Sequence, residues 1–174
     1  VLNLSVFEDV RVREAVSLAI DRERIIATML NNTGTPAKSF VTPGIPGGLT
    51  DGPGFAYDPE RAKQLVKAAG AEGMKVEAWQ RGGDAVSDTN LAIQQMLKAV
   101  GLDYVVRIAD AATFNGARSQ GLIPAQYDNW WADYPDPDNY LYVFFHSNSS
   151  KGYSVNYSNP AVDQILEEAR GEVD

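Results

Sequence analysis

Among 174 residues there is no cysteine. That excludes disulfides, thiolate metal sites and a cysteine nucleophile. Freedom from thiols suits an oxidising compartment. Histidine is nearly as scarce: His146 stands alone, so a zinc site would lack its usual ligands. Positive charge is outnumbered, with 15 Lys and Arg against 23 Asp and Glu and a net charge of -8. Such a balance argues against a nucleic-acid partner, whose phosphates need clustered cations. It favours neutral or cationic partners. No apolar run approaches the roughly 20 residues of a membrane span. No leader-like segment opens the chain, which begins at Val1. We expect a processed chain or a piece of a longer protein.

What is present fits a soluble globular domain with its own core, since 44% of residues are hydrophobic and 22% charged. Val1 to Ser5 reads as a short strand. Asp9 is placed to cap a helix with Val12, Ala15, Val16, Ala19 and Ile20 on one face. Asp21 caps a second helix through Ile25, Ile26, Met29 and Leu30, with Gly34 as its stop. Between Thr35 and Gly54, Pro36, Pro43, Pro46 and Pro53 alternate with five glycines, as in a long surface loop. A phosphate cradle does not fit there, because no Gly-Lys-Ser/Thr follows.

Asp58-Pro59 is a strong helix start, followed by Ala62, Leu65, Val66 and Ala69, and by Gly70 as a stop. Met74 to Gln80 reads as a strand. Ser87 or Asp88 opens a helix with Ala92, Ile93, Met96, Leu97 and Val100 inward. Leu102, Tyr104, Val106 and Ile108 form one face of the next strand. Asp110 caps a helix carrying Phe114 and Ala117, and Ala125 to Trp131 forms another strand. The order β-α-β-α-β-α from Met74 predicts an α/β fold. Ser147 to Ser158 reads as a polar loop. Asn159-Pro160 starts a last helix with Val162, Ile165, Leu166 and Ala169 inward.

One stretch concentrates chemistry: Trp130-Trp131-Ala132-Asp133-Tyr134-Pro135-Asp136-Pro137-Asp138-Asn139-Tyr140. Asp136 and Pro137 suit a helix N-cap and first helical position. Asp133, Asp136, Asp138 and Asn139 could chelate a hard cation, but the spacing is not that of an EF-hand. Asp133 precedes the helix and sits among Trp130, Trp131 and Tyr134. A carboxylate beside aromatic faces suits an ammonium group. It equally suits a turn in which Asp133 bonds its own backbone. His146 reads as a helix-end residue near the negative end of the dipole. No Gly-x-Ser-x-Gly elbow accompanies it for a Ser-His-Asp hydrolase. Trp79 reads as a packed residue on the strand face opposite Val76 and Ala78. Arg11, Arg13, Arg22 and Arg24 read as a solvated face beside Glu8, Glu14 and Glu23.

These motifs, taken in order, resemble a known family. Asp9-Val10-Arg11-Val12-Arg13-Glu14-Ala15 followed by Ala19-Ile20-Asp21-Arg22, then Tyr57-Asp58-Pro59-Glu60-Arg61-Ala62, the Trp130–Tyr140 segment and Asn159-Pro160-Ala161-Val162-Asp163 are similar to blocks of the family 5 extracellular solute-binding proteins. These are the peptide/nickel-type binding components of ABC importers. The resemblance implies a periplasmic-binding-protein-like lobe, a mixed sheet flanked by helices. Residues 1–174 would be a single C-terminal lobe, lacking the N-terminal lobe of the same protein. It implies a ligand-binding role without catalysis or cofactor, a periplasmic or extracellular location with or without a lipid anchor, and an importer permease as partner. The ligand would be a dipeptide or oligopeptide, with a nickel chelate or an oligosaccharide as the alternative within the family. A hydrolase is the reading from outside it. By the same resemblance Asp133 would pair a ligand ammonium, with Trp130, Trp131 and Tyr134 beside it. Pro124 departs from the family, which commonly has Asp there.

Overall fold

Short polar side chains set the helix starts. Each accepts a bond from one of the N–H groups that a first helical turn leaves unpaired. In the computed structural model, which describes residues 1–52 and 54–172, Asp9 does this for α1 (Val10–Ala19) and Asp21 for α2 (Arg22–Met29). Asp58 does so for α3 (Pro59–Ala68), Ser87 for α4 (Asp88–Ala99) and Asp110 for α5 (Ala111–Ser119). After α6 (Asp138–Phe145) and the four-residue α7 (Ser147–Ser150), Asn159 opens α8 (Pro160–Gly171). The second helix stops before Gly34: Asn31 and Asn32 already adopt left-handed conformations, at φ 47° and 58°, which asparagine tolerates better than most residues. Pro53, one of the prolines assigned to the Gly/Pro loop, lies outside the described residues.

Three parallel strands, β1 (Lys75–Arg81), β2 (Asp103–Ala109) and β3 (Ala125–Gln126), are ordered β2-β1-β3. The mixed character comes from an antiparallel bridge between Leu2 and Ala125. On the central strand, Val76 and Ala78 enter a core with Phe7, Ala15, Ala62, Val66, Leu97 and Leu102. Trp79 points the other way, onto Ala109, Phe114 and Ile123. Each fully buried apolar side chain of this size contributes about 1.5–3 kcal/mol. Trp79 is therefore a packed residue, covered further by the Arg107 guanidinium 4.0 Å from its ring.

Several expected elements are shorter or differently placed. Val1 to Ser5 contributes a single bridge because Asn3 is 1% exposed and turns inward. Its Nδ2 donates to the Gly121 and Ile123 carbonyls and its Oδ1 accepts from Ser5 N and Asn156 Nδ2. Gly121 must stay glycine: its φ is 74° and a Cβ would lie 2.7 Å from Asn156 Oδ1. The strand expected over Ala125–Trp131 is only two residues long. Past Gln126 the chain leaves the sheet to set Asp128 against Arg118 and Trp130 against Asn139. Ile108 is exposed at the far end of β2, and the buried residue there is Ala109, on the opposite face with Trp79. Ser147 to Ser158 is not all loop but holds α7 and a 3-10 turn, Lys151–Tyr153. Three of the arginines of α1 and α2 have partners other than the neighbouring glutamates: Arg11 pairs with the Asp9 carboxylate and donates to the Ala68 carbonyl, Arg13 donates to the Phe7 and Glu8 carbonyls, and Arg22 to those of Ser17 and Ile20.

The last helix departs most. α8 has the expected amphipathic spacing, yet Ile165 is 62% exposed and none of its residues is buried. Polar links hold it instead. Ser147 donates its N–H and its hydroxyl to Asp163 at 2.9 and 2.6 Å, Glu167 meets His146, and Arg170 meets Asp138. The Ser147 hydroxyl and N–H hold the Asp163 carboxyl below its ordinary 3.8. A lowered carboxyl pKa stabilises the fold above its ordinary value, and this is lost as pH falls through the lowered one. Amide-exchange protection of α8 is therefore expected to drop, relative to α3, as pH falls below 3.8. Parallel protection of the two helices across that range would contradict the assignment.

Candidate functional site

The segment before α6 is organised by one buried amide. Asn139, in the first turn of α6, is 3% exposed. Its Oδ1 accepts from Trp130 Nε1 and from the Asp133 N–H, both at 3.1 Å. Its Nδ2 reaches Asp133 Oδ2 at a longer 3.4 Å. One side chain thus fixes an indole, a turn and a carboxylate. Asp133 itself is exposed. Asp136 acts as a cap, its Oδ1 accepting from Asp138 N at 2.8 Å. The helix begins one residue later than expected, at Asp138, with Pro137 already in helical conformation.

The four expected site residues separate. Trp130 is half-buried and meets Phe144 and Tyr153 edge-on, at centroid distances of 5.1 and 5.4 Å. It lines a hollow of about 310 Å³ beyond the C-terminal end of β3, with Phe40, Tyr140, Phe144 and Tyr153 as its other aromatic walls. Crevices outside the carboxyl ends of parallel strands are usual ligand sites in α/β sheets. Asp133 stands beside this hollow through the shared Asn139. Trp131 projects outward, 80% exposed. Tyr134 turns to the other side: its hydroxyl donates to Asp138 Oδ2 at 2.8 Å, which holds the phenol above its ordinary pKa. It lines a second hollow with Leu141, Leu166 and Arg170.

Residues not singled out by sequence complete the first hollow. The Gly/Pro loop docks onto α6: Phe40 packs edge-on against Phe144 and Phe145, and Thr42 Oγ1 lies 3.1 Å from the Tyr140 hydroxyl. Arg118, from α5, donates to Asp128 Oδ2 at 2.9 Å, with both side chains largely shielded. No spacing rule links Arg118 to Asp128, which only the fold brings together.

His146 is buried and fully engaged. Its Nδ1 accepts from Asn148 N, placing the ring proton on Nε2, 3.2 Å from Glu167 Oε1, while its face stacks on Tyr142. The nearby Ser147 hydroxyl donates to Asp163 rather than to the imidazole. Among the described residues no group of three or more His, Asp or Glu is arranged to hold a metal ion. No helix among them is long and apolar enough to cross a membrane.

Known proteins share this framework. The chain is 28% identical over 172 residues to heme-binding protein A of Haemophilus influenzae, covering 95% of this chain and 31% of that protein. It is 29% identical over 157 residues to the dipeptide-binding protein of Escherichia coli, covering 87% of this chain and 29% of that one. The chain thus spans about a third of the length of the curated relatives it matches. In structure it resembles the Helicobacter pylori periplasmic binding protein DppA, solved in complex with the peptide STSA, with a TM-score of 0.89 at 24% identity over 99% of this chain and 35% of that one. The model of the bacterial extracellular solute-binding proteins, family 5 Middle, matches residues 1–152. The order of its helix starts, its parallel sheet and this match agree: the chain belongs to the family 5 bacterial extracellular solute-binding proteins.

Proposed function

We propose that this chain is one lobe of an importer's solute-binding protein that captures peptides by closing on them with a second, N-terminal lobe. A ligand contacting both lobes favours the closed form, which the permease recognises, and no bond is made or broken. The observation that carries the reading is the exposed Asp133 carboxylate, held by buried Asn139 beside the Trp130 hollow. A peptide's α-ammonium supplies the matching charge, and its side chains suit aromatic walls. The relatives support peptides as the ligand class: one is named for dipeptides, and the Helicobacter pylori protein was solved with a peptide.

A charge-assisted hydrogen bond contributes about 1.5–3 kcal/mol. Asp133→Ala in the full-length protein is therefore expected to weaken peptide binding at least tenfold, roughly 1.4 kcal/mol. Calorimetric titration decides: an unchanged affinity would remove Asp133 from the contact. A thermal-shift screen of peptides, metal chelates, haem and oligosaccharides on the same protein tests the ligand class. Stabilisation by one of the non-peptide groups alone would replace peptides as the cargo.

A further inference from the structure

The hollow beside Trp130 contains an arginine whose charge is already countered from within the protein. Unpaired, a guanidinium is a good receptor for a carboxylate, because its planar fork matches both oxygens. Here the Arg118 Nη1 is 2.9 Å from Asp128 Oδ2, with side-chain exposures of only 23% and 18%. The same guanidinium stands over the Phe114 and Tyr153 rings at 5.7 and 5.5 Å.

We propose that Asp128 determines the specificity of this hollow: by pairing with Arg118 it reserves the space for an uncharged, largely apolar ligand side chain. The proposal rests on the peptide-binding reading. A carboxylate entering the hollow would meet the like charge of Asp128, and an ammonium would meet Arg118. Either would be stripped of water beside a pair whose charges already offset each other, which costs more than apolar contact returns. An aromatic or large aliphatic side chain carries no such cost and packs against Phe40, Trp130, Phe144 and Tyr153. Gln126 on the lining adds to the bias against anions. Its Nε2 already donates to the Tyr153 carbonyl at 2.7 Å, so this amide donor is taken up within the protein. The volume of about 310 Å³ lies at the small end of ligand pockets and suits one side chain rather than a whole peptide.

The test is calorimetric titration of the full-length protein with tripeptides that carry Phe, Glu or Lys at each position of an alanine background. At one position, Phe is expected to bind at least tenfold tighter than Glu or Lys. Asp128→Asn, which leaves the Arg118 charge without a countercharge, is expected to improve Glu at that position at least tenfold relative to Phe. The double variant R118Q/D128N, a neutral pair that can still hydrogen-bond, is expected to keep the preference for Phe. A wild-type preference for Glu, or a Phe-to-Glu ratio unmoved by Asp128→Asn, would overturn the assignment. The wild-type comparison stands even if a variant does not fold. Failure of every tripeptide to bind removes the peptide reading itself and this proposal with it. Binding with no preference for Phe at any position removes only the proposal.

Discussion

Replacing Phe114 by alanine is expected to destabilise the fold by about 3–5 kcal/mol, the usual range for a fully buried aromatic ring. Phe114 has no exposed surface and closes the side of the sheet opposite the main core, against Trp79, Ala109 and Ile123. That second cluster is small, with only Ala117 packed at its margin. Little can move in to fill the space, so the cavity term is retained in full. The effect reaches the ligand hollow as well. Arg118 lies one turn beyond Phe114 on α5, with its guanidinium over the ring on the way to Asp128. Denaturant unfolding of the full-length protein measures the loss. Phe114→Leu is expected to cost less, and a loss below about 1 kcal/mol for Phe114→Ala would mean that the site collapses around the smaller side chain.

Local chemistry is legible in the sequence. Asp9, Asp21, Asp58, Asp110 and Asn159 cap the helices that follow them, as their positions predict, because a cap depends only on the next two or three residues. The strands β1 and β2 are legible for a similar reason, since alternation and a helix-length spacer are written locally. The distant groups that complete these elements are not. Asn3 looks like a strand residue until the Gly121 and Ile123 carbonyls, over a hundred positions away, claim its amide. The face of α8 is legible but its partner is not. Amphipathic spacing says that a side is apolar and not what covers it, and here Ile165 remains exposed.

The candidate site divides along the same line. Asp136 is legible as a helix-start residue because its partner, the Asp138 N–H, is two residues away. Trp130, Trp131, Asp133 and Tyr134 lie close in sequence, but packing turns them to different surroundings. Tyr134 faces Asp138 and Trp131 faces outward, while Trp130 joins a hollow whose other aromatic walls come from the Gly/Pro loop, α6 and Tyr153. The pairing of Arg118 with Asp128 leaves no trace in spacing, because α5 and the segment after β3 meet only through the sheet.

Asn139→Ala is expected to cost stability and ligand affinity together, and to do so through Asp133. The substitution removes the acceptor shared by Trp130 Nε1 and the Asp133 N–H, and the donor to Asp133 Oδ2. The exposed Asp133 N–H can turn to water, whereas the half-buried indole N–H is less able to. Leaving one such group unpaired costs about 1–3 kcal/mol, which sets the expected loss of stability. Affinity falls for a different reason: a carboxylate free to rotate must be ordered again when the ligand binds, so the pre-organised contact is lost. A drop of about tenfold in peptide affinity follows, similar to that of Asp133→Ala. A double-mutant cycle isolates the coupling. Once Asp133 is alanine, removing the Asn139 amide is expected to lower stability again but to leave peptide affinity nearly where it was. Additive losses of affinity would show instead that Asn139 acts on the ligand by a route that bypasses Asp133, with the Trp130 wall of the hollow as the element it then supports.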